Sequence, residues 1–113
     1  MSAPLSLFDL SRASEDKISY YNSSVSPVND LVIRLSVMIA PFYWHYHPNS
    51  DESFLVTEGI LCMDLEDRVI ELGPGQGLTI PAGTKHRTRP KGERSVNITF
   101  ERADMVTVAC NWD

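Results

Sequence analysis

The chain contains three histidines, and their positions are the first chemical signal. His45 and His47 are separated by one residue, and on a β-strand residues i and i+2 project to the same face. Two neutral imidazoles a strand step apart can bind one metal ion together. Glu52 follows five residues on, after Pro48-Asn-Ser-Asp51 has turned the chain, and can bring an anionic oxygen to the same ion. His86 comes just beyond Pro81-Ala-Gly-Thr-Lys85, at the start of another extended run, and can close the set. Three imidazoles and a carboxylate suit a divalent transition metal (Fe, Mn, Ni, Co, Zn or Cu) better than Ca or Mg. In a six-coordinate ion two positions stay open for water, O₂ or substrate. The alternative for any single histidine is a hydrogen-bonded core or surface side chain. Here all three fall in one arrangement with a glutamate.

The elements that must hold these side chains read as strands. Leu31, Ile33, Leu35, Val37 and Ile39 alternate with residues such as Arg34 and Ser36, the period-two pattern of a half-buried strand with its odd residues inward. Pro41 interrupts it, and Tyr43-Trp-His-Tyr-His47 resumes with the same parity. Further short runs lie at 54–57, 60–65, 68–72, 78–80, 95–101 and 105–110, separated by turn formers such as Gly73-Pro-Gly-Gln-Gly77 and Pro81-Ala-Gly83. Many short strands at this spacing predict an all-β sandwich or barrel with little or no helix, apart from one turn within 10–18. The 113 residues fit a single domain, with 31–110 as the barrel and 1–30 as a segment packing on it or on a partner chain.

The His45-x-His47-x4-Glu52-x6-Gly59 and Gly75-x5-Pro81-x-Gly83-x2-His86 patterns resemble the two signature motifs of the cupin superfamily. Ile39 replaces the leading glycine of the first motif, and Pro90 stands where the second usually ends in asparagine. Fifteen residues, 60–74, separate the motifs. The resemblance implies a jelly-roll cupin β-barrel, with His45, His47, Glu52 and His86 as ligands of one divalent metal. It also implies a homodimer, as cupins commonly dimerise.

By strand parity Tyr43 faces inward beside the histidines and is a candidate proton donor; its bland alternative is an aromatic wall. Phe54, Val56, Met63, Thr88, Ile98 and Phe100 are expected to line a mainly apolar pocket around the metal. Trp44 and Tyr46 should face outward, covered by a partner chain or by Phe8, Tyr20 and Tyr21. Glu58 reads as a turn residue.

A net charge of −5 argues against nucleic acid and anionic membranes as partners, leaving a small-molecule ligand or substrate. Lys85, Arg87, Arg89, Lys91 and Arg94 cluster in sequence, as do acids between 51 and 71. Pairing across strands explains both, while an anionic substrate beside His86 is the sharper alternative. Cys62 and Cys110 form no CxxC pair. Without a recognisable signal peptide they read as free thiols of a cytoplasmic protein. Three functions remain open: a metal-dependent oxidoreductase of the dioxygenase type, a metal-dependent isomerase, epimerase or lyase, and a non-enzymatic ligand-binding module. Inward acids and bases are few, which places the oxidoreductase first.

Overall fold

The computed structural model describes residues 5–110. Two five-stranded antiparallel sheets face each other. The first runs in the order β1 (Tyr21–Val28), β2 (Leu31–Met38), β9 (Ser95–Arg102), β4 (Glu52–Glu58), β7 (Gly77–Ile80). The second runs β10 (Val108–Ala109), β3 (His45–Tyr46), β8 (His86–Pro90), β5 (Leu61–Leu65), β6 (Val69–Leu72). One short helix, α1 (Leu10–Ser14), is capped by Asp9, whose side chain accepts from the Arg12 amide at 3.1 Å. The architecture is the expected all-β one. No helix among the described residues is long and apolar enough to cross a membrane.

β1 has no counterpart among the expected strands. Its sequence, Tyr-Asn-Ser-Ser-Val-Ser-Pro-Val, lacks an apolar alternation, and it forms an edge, where Pro27 costs no ladder bond on the open side. Asn29, at φ 53°, turns the chain between β1 and β2. The strand pairs along the whole of β2 with a bulge between Ser24 and Ser26.

The first sheet buries both of its faces, and this decides what reaches the interior. Leu35, Val37, Val96 and Ile98 form one core cluster with Ile33, Leu55 and Phe100, and Leu10 and Ala13 of α1 pack against it. This is the outer face. The inner face meets the second sheet through Met38, Phe54, Val56, Leu61, Met63, Leu72 and Ile80. Arg94 fastens the N-terminal segment to the barrel. Its guanidinium donates to the Lys17 and Ser14 carbonyls and, from Nε, to Glu58 at 2.8 Å. Glu58 is thus an ion-pair partner next to the β4–β5 turn.

Candidate metal centre

His45 on β3 pairs directly with His86 on β8 across the second sheet. His47 follows β3 immediately, and Glu52 opens β4 in the opposite sheet. The connection between them is tied down at both ends. Gly83 donates its amide to the His47 carbonyl at 2.8 Å, and Ala82 donates to Asp51 Oδ1 at 2.8 Å. Asn49 holds the segment before β10, donating to the Asp104 carbonyl and accepting from the Val106 amide. The structure brings the four candidate ligands together: all are buried, and one ligand atom from each lies within 4.8 Å of the others.

Each imidazole is oriented from behind. Nδ1 faces a backbone carbonyl in all three: Tyr43 for His45 at 2.8 Å, Val106 for His47 at 3.1 Å, Thr84 for His86 at 2.8 Å. An Nδ1–H donated to a carbonyl leaves the Nε2 lone pair facing the centre, the outer-shell arrangement of metal-binding histidines. His86 Nε2 is buried with no hydrogen-bond partner, 3.5 Å from Glu52 Oε1. A lone pair beside a carboxylate calls for a cation between them, so the donor set fits a divalent transition ion.

The electrostatics follow from burial and from Glu52. Burial holds His45 down at about 4, and the neighbouring His86 and His47 add to this. Burial would also depress His47, but in its charged form Nε2–H can donate to Glu52 at 3.1 Å, and that bond and the carboxylate's charge raise it above its ordinary value. Burial alone would raise Glu52; contacts with His47 and His86 outweigh it and pull the carboxyl down to about 2.

A cavity of about 460 Å³ opens beside the cluster, lined by His45, His47 and Glu52. Of the expected pocket residues, Tyr43, Phe54 and Thr88 line it, Tyr43 half exposed. Val56 and Met63 are buried in the core between the sheets and do not reach it. Ile98 and Phe100 belong to the outer cluster, because β9 turns its odd residues inward, so both lie away from the cavity. Their places are taken by Asn97, Thr99 and Glu101 of β9, with Arg34 of β2 and Tyr20 and Asn22 from the N-terminal side. The cavity is more polar than expected. Glu101 stands opposite Glu52 in the β4–β9 ladder and accepts from Thr99 Oγ1 at 2.8 Å. Burial, then the charge of Glu52, pushes its carboxyl up to about 7. The signal for these residues was available in the alternation of 95–101, where the polar set Asn97, Thr99, Glu101 is as regular as the apolar one.

The basic stretch resolves mostly as cross-strand pairing. Arg87 and Arg89 both donate to the buried Asp64 on β5, at 2.8–3.0 Å, and Lys91 pairs with Glu71. Arg87 also lies over the Trp44 ring, 5.4 Å from its centroid. Cys62 is buried, Cys110 half-buried, and both are free.

YdbB of Bacillus subtilis, an uncharacterised protein, is 43% identical over 100 residues, covering 88% of each chain. A cupin-2 domain protein of Shewanella frigidimarina superposes with a TM-score of 0.74 at 27% identity, over 80% of this chain and 88% of that one. DMSP lyase DddQ of Ruegeria pomeroyi shares the fold, with a TM-score of 0.69 at 20% identity over 85% of this chain and 54% of that one. The profile of the Cupin_2 family, described as "Cupin domain", matches residues 36–100. With its paired sheets closing around His45, His47, Glu52 and His86, the chain belongs to the cupin domain family.

Proposed function

We propose that the chain is a metal-dependent enzyme that carries out redox-neutral proton transfer on a small polar organic molecule, in the manner of an isomerase or lyase. The observation that carries this reading is Glu101, an inward carboxyl lining the same cavity as Glu52, His45 and His47. Glu101 therefore supplies an inward acid beyond Tyr43. A bound divalent ion would supply Lewis-acid polarisation of a substrate oxygen. Thr99 donates to Glu101 Oε1 at 2.8 Å and the carboxyl also hydrogen-bonds Glu52, so a substrate proton would be exchanged with this carboxyl pair. Tyr43 stands at the mouth with its ring 5.4 Å from that of His45, and Tyr20 stacks on Phe42 at 5.9 Å beside it. Both phenols can orient the substrate or screen it from water. That a lyase shares this fold agrees with the reading.

The oxidoreductase reading stands second. Met38, Phe42 and Phe54 give the cavity an apolar wall, which suits an oxidisable enolic or phenolic substrate. One experiment separates the two. Protein loaded in turn with Zn, Mn and Fe(II) is incubated in D₂O with a panel of small hydroxy and keto compounds. Deuterium incorporation that persists without O₂ and is lost in Glu101→Gln at unchanged metal content supports proton transfer. Substrate-dependent oxygen uptake by the Fe(II) form, without exchange, would overturn it in favour of oxidation.

A further inference from the structure

The cavity holds one arginine, Arg34, which feels the charge of Glu101 but makes no close ion pair. Arg68, Arg87, Arg89, Arg94 and Arg102 each pair with an Asp or Glu within 4 Å, whereas Arg34, like Arg12 outside the cavity, has no carboxylate within that distance among the described residues. Its Nε donates to Asn22 Oδ1 at 2.7 Å, which orients the guanidinium and leaves the two terminal amino groups as an end-on fork. The same cavity contains a second unanswered group. Asn97 is 2% exposed and lines the cavity, yet its Oδ1 has no hydrogen-bond partner.

Ladder geometry relates these groups to the metal cluster. Arg34 pairs with Thr99, and Asn97 with Ser36, so Arg34 and Asn97 are diagonal neighbours on the inner face. Thr99 pairs in turn with Phe54, two residues along β4 from Glu52. Two strand spacings and two residues put the Arg34 and Glu52 Cα atoms roughly 11–12 Å apart. Both side chains reach inward, so the gap suits a molecule of a few atoms' length.

We infer that the cavity selects a small organic carboxylate bearing a hydroxyl or amine donor, its carboxylate on Arg34 and its donor on Asn97. Carboxylate fits better than phosphate. It brings one charge rather than two into a cavity with two glutamates and a single arginine, and its planar oxygens match the guanidinium fork. This names the substrate class of the proposed enzyme and rests on that reading only for the end of the molecule that faces the cluster.

The test is binding, read by NMR titration on zinc-loaded and on chelator-treated protein. The probes are lactate and mandelate, their primary amides, and the deoxy acids propionate and phenylacetate. Wild type should bind the acids roughly tenfold or more tightly than the amides, and Arg34→Gln should abolish that preference. Arg34→Lys, which keeps the charge and loses the fork, should retain part of it. Asn97→Leu should weaken the hydroxy acids roughly 5- to 10-fold while leaving the deoxy acids unchanged. Equal binding of acid and amide, an unchanged preference in Arg34→Gln, or no acid bound at millimolar concentration would overturn the inference. Failure of zinc to bind while the acid preference persists would sink the metal-dependent reading alone.

Discussion

His45 gives a way to test the electrostatics of the cluster without any metal. Its imidazole is held down from an ordinary 6.5 to about 4, chiefly because burial disfavours the charged form. In the unfolded chain it protonates below about pH 6.5; in the fold it resists until about pH 4. Its contribution is therefore full above pH 6.5 and is lost as pH falls through that window, at about 1.4 kcal/mol per unit. By about pH 4.5 the loss is roughly 2.5 kcal/mol. Glu101 works in the opposite direction. Raised to about 7, its protonated form is favoured in the fold, and stability present below its ordinary value of 4.5 is lost as pH rises towards 7. The two nearly cancel in the wild type, so the readout must be a difference. His45→Asn keeps an amide that can donate to the Tyr43 carbonyl and removes the titrating ring. Urea unfolding of chelator-treated wild type and variant should show the variant gaining roughly 2.5 kcal/mol on the wild type between about pH 7.5 and 4.5. Parallel stability curves would refute the picture of a desolvated neutral imidazole.

Three further outcomes are expected. His86→Ala removes the nitrogen that has no protein partner and should weaken metal binding by more than the roughly 10- to 100-fold typical of losing an outer-shell contact; chelator competition with elemental analysis checks this. Gly59 sits at φ 74°, and a Cβ there would overlap the Arg94 carbonyl oxygen, so Gly59→Ala should lose about 2–4 kcal/mol in chemical denaturation. Asp64→Ala strips four hydrogen bonds from Arg87 and Arg89, each arginine about a third exposed, and should lower stability by about 1–3 kcal/mol in thermal unfolding. The loss should shrink when both arginines are replaced by methionine at the same time.

The four clustered side chains were legible because their geometry is local. Two histidines at i and i+2 share a strand face whatever the surroundings, and the turn between His47 and Glu52 is spelled by Pro48 and Asn49. Strand parity in the first sheet was not legible. Leu35 and Val37 alternate as cleanly as any inward set, but their face is covered by α1, so apolar periodicity marked a buried face without saying which of two. Ile98 and Phe100 share that outer face, so their apolar alternation carries the same ambiguity. β1 escaped because a serine-rich edge strand draws its order from the ladder with β2 and not from its own pattern.

The consequence is an interior whose polarity works against stability unless something positive is bound there. Glu52 and Glu101 face each other across a ladder, and like charges so placed are destabilising. Without metal the fold relieves them by holding a proton on Glu101, by drawing His47 towards its charged form, and by the Thr99 hydroxyl and the Arg34 charge beside Glu101. Replacing such a set with well-packed apolar side chains is often neutral or stabilising. Apolar residues were available, since the outer face of the same strands uses Leu35, Val37, Val96 and Ile98. Around the cavity, β2 and β9 turn Arg34, Ser36, Asn97, Thr99 and Glu101 inward, while the apolar inner residues Met38, Phe54 and Val56 pack between the sheets. A cation among the three Nε2 atoms and Glu52 would offset the negative charge that the two glutamates bring into the cavity.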